Sequence, residues 1–445
     1  MVWRKSPARY RARLFVFGMV NKFQEPRSMT NLRVHMREIE HYTLSNGIRV
    51  VHNRITTTKI VHCGIMLNIG SRDETPQNQG IAHFWEHMAF KGTKKRNAYH
   101  ILNKLDSLGG ELNAFTDKEK ILFYASLRDV YFEKAVDLLT DITFDSVFPE
   151  NQIERERNVI LEEMAMYLDD PEDSLYDDFD NVIFTDHPLG MNILGTQETV
   201  KSFRRKDFRS FIKAHLDTKK IVFSCVGNIP MEEVIRLAEK YMGHMPRITS
   251  SSRRKRFTKY KPKEVLIHRN VSQSRCAMGR PAYPLKDERR SAFFMLVNIL
   301  GGSGMNSRLN WALREKRGYV YSIGSHYYPF TDTGLFMISF GTEPTQMGKS
   351  LQLISEELRR LKEEPLGIKQ MNAAREQLFG QLAMAQEHNS GFMIMMARGM
   401  LDKGKILPIE ETYSRIRETT PQTLMELAND IFDEEQFSIL RMEPN

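Results

Sequence analysis

Two stretches of this chain, 218 positions apart, carry the same helical pattern: QIERERNVILEEMAM at 152–166 and QMNAAREQLFGQLAM at 370–384. At that shift Gln152 aligns with Gln370, Arg157 with Arg375, and Ala165-Met166 with Ala383-Met384. Each segment follows a long helical stretch that ends near a proline, Pro149 in one case and Pro365 in the other. A spacing of this size points to duplication of a whole unit, so the chain is expected to fold as two similar halves. The copies differ in a way that matters for chemistry. Glu156 aligns with Ala374 and Glu163 with Gln381, so the first half keeps acids that the second has exchanged for neutral residues.

The local pattern fits such units. IEHYTLSNGIRVVHN, from residue 39, reads as two strands around an Asn-Gly turn, and TKIVHCGIMLNIGS as a buried strand. Helices are expected over 78–90, 98–109, 129–146 and 150–168, with strands at ILFYASL (121–127) and KKIVFSCVGNI (219–229). PRITSSSRRKRFTKYKPK (246–263) lacks apolar periodicity and reads as the linker. The expected organisation is a basic, disordered N-terminal extension at 1–37, a catalytic unit at 38–245, the linker, and a second unit at 264–445.

The net charge of +8 is uneven. Arg4, Lys5, Arg9, Arg11, Arg13, Lys22 and Arg27 face a single acid, Glu25, and RRKR at 253–256 adds a second basic tract. The rest is nearly balanced, so these are solvated basic segments and no nucleic-acid surface is expected. The N-terminal stretch has the Arg-rich, acid-poor composition of a transit peptide. It also reads as an extension upstream of a start at Met29 or Met36, and this reading is preferred. No run of about 18 apolar residues occurs, so no membrane span is expected. Cys63, Cys225 and Cys276 are widely spaced, which suits core thiols in a reducing compartment and argues against a Cys-based metal site.

The chemistry centres on HFWEH at 83–87. On a helix His83 and His87 share one face, a turn apart, as two imidazoles on one Zn²⁺ require. Glu86 lies close to that face; it suits a general base acting on a water activated by the metal. Two surface histidines also produce this spacing by chance, and a catalytic zinc needs a third protein ligand. The helix at 150–168 offers Glu154, Glu156, Glu162 and Glu163. Glu156 and Glu163 are two turns apart on one face and are the pair lost from the second half. This selects Glu163 as ligand and Glu156 as a carboxylate supporting a ligand. Glu162 lies about 100° round the helix and is expected in solvent.

Taken with GIAHFWEHMAFKGT and ERNVILEEMAMYLDDPED, the chain resembles the pitrilysin family of zinc metallopeptidases, the inverzincins, in which the order HxxEH inverts HExxH. The likeness is to the branch of the mitochondrial processing peptidase β subunit and its single-chain bacterial relatives, over roughly residues 38–440. It implies an α+β fold of two homologous units, each an antiparallel-rich sheet with helices on one face. It also places the third ligand at Glu163, 76 positions after His87. Trp85 stands where leucine is usual; facing away from the ligand pair, it should alter packing only.

GGELNAFTDKEKILFYASL (109–127) resembles the active-site edge strand of the family, implying that Asn113, Ala114 and Phe115 line an extended peptide held by main-chain hydrogen bonds. GGSGMNSRLNWALREKRGYVYSI (301–323) resembles its substrate-anchoring segment. That carries over to Arg314 and Tyr321, which would steady the substrate carbonyl and developing oxyanion. By pattern alone these two read as a solvated helix end and a strand residue. The implied function is a zinc endopeptidase acting on peptides or unfolded segments in an enclosed chamber. A homodimer is expected, or a heterodimer with a homologous subunit, and Arg314 and Tyr321 then serve either their own zinc or the partner's. The rival readings are a presequence-type processing peptidase with a partner subunit and a non-catalytic scaffold. The expected compartment is the bacterial cytoplasm, or an organelle matrix if the N-terminal stretch is a transit peptide.

Overall fold

The computed structural model describes residues 39–445, so the extension expected at 1–37 lies outside the described residues. The first unit opens with a hairpin of β1 (Ile39–Thr43) and β2 (Arg49–Arg54). Its turn works because Gly47 takes φ 99°, a conformation that costs a residue with Cβ. Then follow β3 (Ile60–Leu67), α1 (Ile81–Ala89), α2 (Ala98–Asp106), a hairpin of β4 (Glu111–Thr116) and β5 (Ile121–Arg128), α3 (Phe132–Phe144) and α4 (Glu150–Leu168). The unit continues through α5 (Pro171–Ile183), α6 (Gln197–Ser202) and α7 (Arg205–His215) to β6 (Ile221–Gly227) and α8 (Met231–Ala238). The sheet order is β1-β2-β6-β3-β5-β4. Only the β2–β6 pair is parallel.

The second unit contains β7 (Glu264–Arg269), β8 (Ser274–Ala282), α9 (Arg290–Gly301), a π-helical turn at Asn310–Glu315, β9 (Val320–Pro329) and β10 (Gly334–Thr342). It closes with α10 (Met347–Glu363), α11 (Ile368–Glu387), α12 (Asn389–Lys403), α13 (Ile409–Glu418), α14 (Pro421–Ile431) and β11 (Ser438–Pro444). Its order is β7-β11-β8-β10-β9, again with a single parallel pair, β7–β11. Without β1, the first sheet has this same order and the same strand directions. The duplication read from the sequence is therefore a duplication of topology, with α11 in the place of α4. The aligned arginines do the same work. Arg157 donates to the Val200 and Phe203 carbonyls, at 3.1 and 2.9 Å, and Arg375 donates to the Thr419 carbonyl at 2.8 Å. Phe203 and Thr419 both lie in the short connection between the last two helices before the returning strand.

Each unit's own helices cover one face of its sheet. The other face is covered by a helix from the opposite unit. α5 packs on β8 and β11, burying Leu175, Phe179 and Ile183 among Ala277, Met337 and Leu440. α12 packs on β2, β3 and β6, burying Phe392, Met393, Met396 and Ala397 against Val51, Met66, Tyr124 and Val222. The Ser224 hydroxyl donates to the Met393 carbonyl at 2.8 Å across this junction. This exchange explains why ILFYASL shows no polar alternation: Ile121, Phe123 and Ala125 face the unit's own helices while Leu122 and Tyr124 face α12. Segment 246–263 has no helix or strand, as its composition suggests, but it is anchored. Arg254 pairs with Asp73 at 2.8 Å, Phe257 packs on Phe184 with ring centres 4.9 Å apart, and the Tyr260 hydroxyl donates to the Gln436 carbonyl at 2.8 Å. No helix among the described residues is long and apolar enough to cross a membrane.

Because each sheet needs the other unit's helix, the halves should unfold together. Phe179→Ala and Met396→Ala, at fully buried positions, should each cost about 2–5 kcal/mol. Urea unfolding followed by fluorescence and by circular dichroism should give one coincident transition for each variant; two separated transitions would contradict the exchange.

Candidate metal centre

α1 is buried along its whole length. Its aromatic side fixes it in the core: Phe84 packs on Phe208 with ring centres 5.2 Å apart, and Trp85 packs on Phe123 at 6.4 Å. Trp85 thus points away from the ligand pair, as expected. Its N-terminus is capped from a distance, by the Glu74 carboxylate accepting from the Gly80 and Ala82 N–H groups, each at 2.8 Å. Gly80 and Gly195 let this end press against the 192–196 loop: a Cβ on Gly195 would meet the Gln79 carbonyl at 2.4 Å, and one on Gly80 the Leu194 carbonyl at 2.6 Å. With the helix so fixed, His83, Glu86 and His87 are turned toward α4.

α4 spans the range expected from sequence and buries Ile153, Glu156, Arg157, Ile160 and Met164, leaving Glu162 in solvent. The structure brings together His83, His87 and Glu163, with one ligand atom from each lying within 4.8 Å of the others. Glu163 Oε2 is 3.5 Å from His87 Nε2 and 3.8 Å from His83 Nε2. Two donors on one tetrahedral zinc stand about 3.3 Å apart, so the spacing is close to what a shared ion needs. His83 is buried with no hydrogen bond to either ring nitrogen. Burial pushes its pKa down to about 4, which keeps the ring in the neutral form that ligates metals. An orphaned buried imidazole beside a second imidazole and a carboxylate fits zinc.

His87 differs. Burial would lower its pKa, but the hydrogen bond with Glu156 and the charges of Glu163 and Glu86 raise it overall. Its Nδ1 lies 3.1 Å from Glu156 Oε2, which assigns the ring proton to Nδ1 and aims Nε2 at the Glu163 side. Lys91 holds the other oxygen of Glu156 at 2.5 Å. Burial opposes ionisation of Glu156, yet these bonds to His87 and Lys91 win and lower its pKa. Glu86 lies beside the cluster, pushed up to about 7 by burial against the opposing effects of His87 and Thr116. The Thr116 hydroxyl donates to Glu86 Oε2 at 2.7 Å.

β4 is one of the two edge strands of the first sheet, at the end opposite β1. Leu112, Ala114 and Thr116 face the helix layer, while Asn113 is exposed on the opposite face. Phe115, expected to line the peptide, is 4% exposed, and its side chain packs in the α12 cluster with Arg398 over its ring. The period of two sends Phe115 to the face that α12 covers. Arg314 and Tyr321 lie in the second unit, on the π-helical turn and on the edge strand β9, both about half exposed. Their partners are local: the Tyr321 hydroxyl donates to Glu343 at 2.6 Å, and Arg314 is 3.9 Å from Glu315. Sequence reasoning missed Lys91 and Thr116. Lys91, four residues after His87, carried a faint helical signal; Thr116 carried none.

This arrangement, two helical imidazoles and a distant carboxylate with a second glutamate beside them, is a candidate metal centre. Residues 49–197 match the model for insulinase (peptidase family M16), and residues 202–378 match that for the peptidase M16 inactive domain. An uncharacterized zinc protease of Streptomyces coelicolor is 34% identical, over 88% of this chain and 87% of its own length. Another from Bacillus subtilis is 32% identical, over 89% and 96%. The crystal structure of a protease from Helicobacter pylori has a similar fold, with TM-score 0.85 at 21% identity, covering 92% of this chain and all of that one. The chain belongs to peptidase family M16, as a zinc metallopeptidase of that type.

Glu156→Gln removes a carboxylate that orients His87 and pairs with Lys91. Zinc affinity, measured by competition with a chromophoric chelator, should fall about 10–100-fold. Unchanged affinity would mean that Glu156 has no part in holding the ligand set.

Proposed function

We propose that this protein is a zinc-dependent endopeptidase that cleaves peptides or unfolded segments in an enclosed chamber. The observation that carries the reading is the convergence of His83, His87 and Glu163, with Glu86 beside but not part of the triad. An ion held by these three would supply Lewis acidity toward a water and the scissile carbonyl. Glu86 is the general base: it takes a proton from the attacking water as the water oxygen bonds to the carbonyl carbon. It then returns that proton to the amine nitrogen as the C–N bond breaks. Burial of Glu86 supports the role, because a raised pKa suits a group that must both accept and donate near neutrality.

The peptide would add as a strand along β4, with Asn113 and Ala114 beside it; the position of β4 at the end of the sheet supports this. Pairing of two chains would close the chamber and let Arg314 and Tyr321 reach a substrate carbonyl. Their half-exposed positions in the second unit support a role toward a neighbouring chain.

Glu86→Gln should retain wild-type zinc content and lose about 10²–10⁴-fold in kcat on unstructured peptides. Cleavage at the wild-type rate in that variant, with zinc present, would contradict the mechanism.

A further inference from the structure

The turn joining β4 to β5 reads Asp117-Lys118-Glu119-Lys120. Four consecutive charged residues in a hairpin turn would ordinarily be solvated. Here the side chains of Lys118, Glu119 and Lys120 are at most 5% exposed, and each of the four finds a partner outside the hairpin. Asp117 pairs with Arg398 at 2.7 Å and Lys120 with Asp402 at 2.8 Å, both partners on α12. Glu119 accepts from the Thr331 hydroxyl at 2.9 Å and from Arg72 at 2.6 Å, and Arg72 in turn holds Asp332 at 2.6 Å. Lys118 pairs with Asp180 of α5 at 3.2 Å. Arg398, Asp402, Thr331 and Asp332 all belong to the second unit. The turn is also held by its own unit, through the Ser71 and Arg72 N–H groups and Asp180, but charges withdrawn from water are tolerated only while all these pairs persist, so the turn's conformation depends in part on the second unit being seated.

The residue immediately before the turn is Thr116. Its hydroxyl is the hydrogen-bond donor that holds one oxygen of Glu86 at 2.7 Å. Nothing else in the proposed mechanism fixes the rotation of that carboxylate, whose other oxygen must face the water. We propose that Thr116 is a positioning residue for Glu86, and that the second unit governs this positioning through the charged turn 117–120. The inference rests on the peptidase reading. It gives the second unit a part in turnover that needs no contact with substrate.

The test uses the full-length, zinc-loaded protein and an unstructured reporter peptide. It reads kcat, KM, zinc stoichiometry and Tm for wild type, Glu86→Gln, Thr116→Val, Thr116→Ser and the double variant Arg398→Met/Asp402→Asn. Thr116→Val should lose about 10–100-fold in kcat while zinc content stays at the wild-type level and KM moves by less than about threefold. Thr116→Ser, which keeps the hydroxyl, should restore kcat to within about threefold of wild type. The double variant should lose kcat selectively, by at least about threefold, with Thr116 in place. Wild-type kcat in Thr116→Val overturns the positioning role, as does a loss matched by loss of zinc, which is the mark of a merely structural residue. Wild-type kcat in the double variant overturns control by the second unit. Two other outcomes are different failures: equal cleavage by wild type and Glu86→Gln removes Glu86 as the general base, and this proposal with it, while no cleavage by the zinc-loaded wild type removes the peptidase reading itself.

Discussion

Two donors on α1 and one on α4 can share an ion only if the helices are fixed relative to each other to within tenths of an ångström. Donor separations of 3.5 and 3.8 Å leave little room for drift. The same packing that forms the core supplies that precision. Phe84 is wedged against Phe203 and Phe208, and Arg157 of α4 grips the Phe203 carbonyl. Gly80 and Gly195 permit backbone contact at the start of α1, where any side chain would collide. Glu74 adds a buried carboxylate to that end, pushed well above the usual range by burial despite its two backbone donors. Hydrophobic burial, one aromatic cluster and two glycines therefore set the spacing of His83, His87 and Glu163, and Glu156 with Lys91 refines the aim of one ring.

Duplication explains how one half could lack the acids of α4 without becoming dispensable. α11 repeats the place of α4, with Ala374 and Gln381 where Glu156 and Glu163 stand. The second unit still supplies α12 to the first sheet and receives α5 in return. Each sheet is then buried on both faces, a condition neither unit meets alone. The segment between the units belongs to this joint: Arg254 reaches Asp73 and the Glu119 carbonyl, within the charged turn that follows β4.

Much of this was legible in the residues. The Asn46-Gly47 turn, the bounds of α4, and the selection of Glu163 over Glu162 follow from local chemistry and helical period. The 218-residue shift announced the repeated topology. The contents of long-range contacts were not legible. Periodicity shows that ILFYASL is apolar on both sides, yet not that its second cover comes from residues some 270 positions later. Nor does the sequence show that the Phe115 side chain lies on the face α12 covers. Sequence alone does not display the partners that the charged turn 117–120 finds on α12. Thr116 was silent for the same reason: a threonine ending a strand is common, and only the fold sets its hydroxyl on Glu86.

Zinc K-edge X-ray absorption on the purified, zinc-loaded protein tests the central claim most directly, comparing wild type with Glu163→Ala. The account predicts two imidazoles and a carboxylate oxygen around a single ion in the wild type, and loss of stoichiometric binding or of that oxygen in the variant. An unchanged spectrum at full zinc occupancy in Glu163→Ala would contradict it.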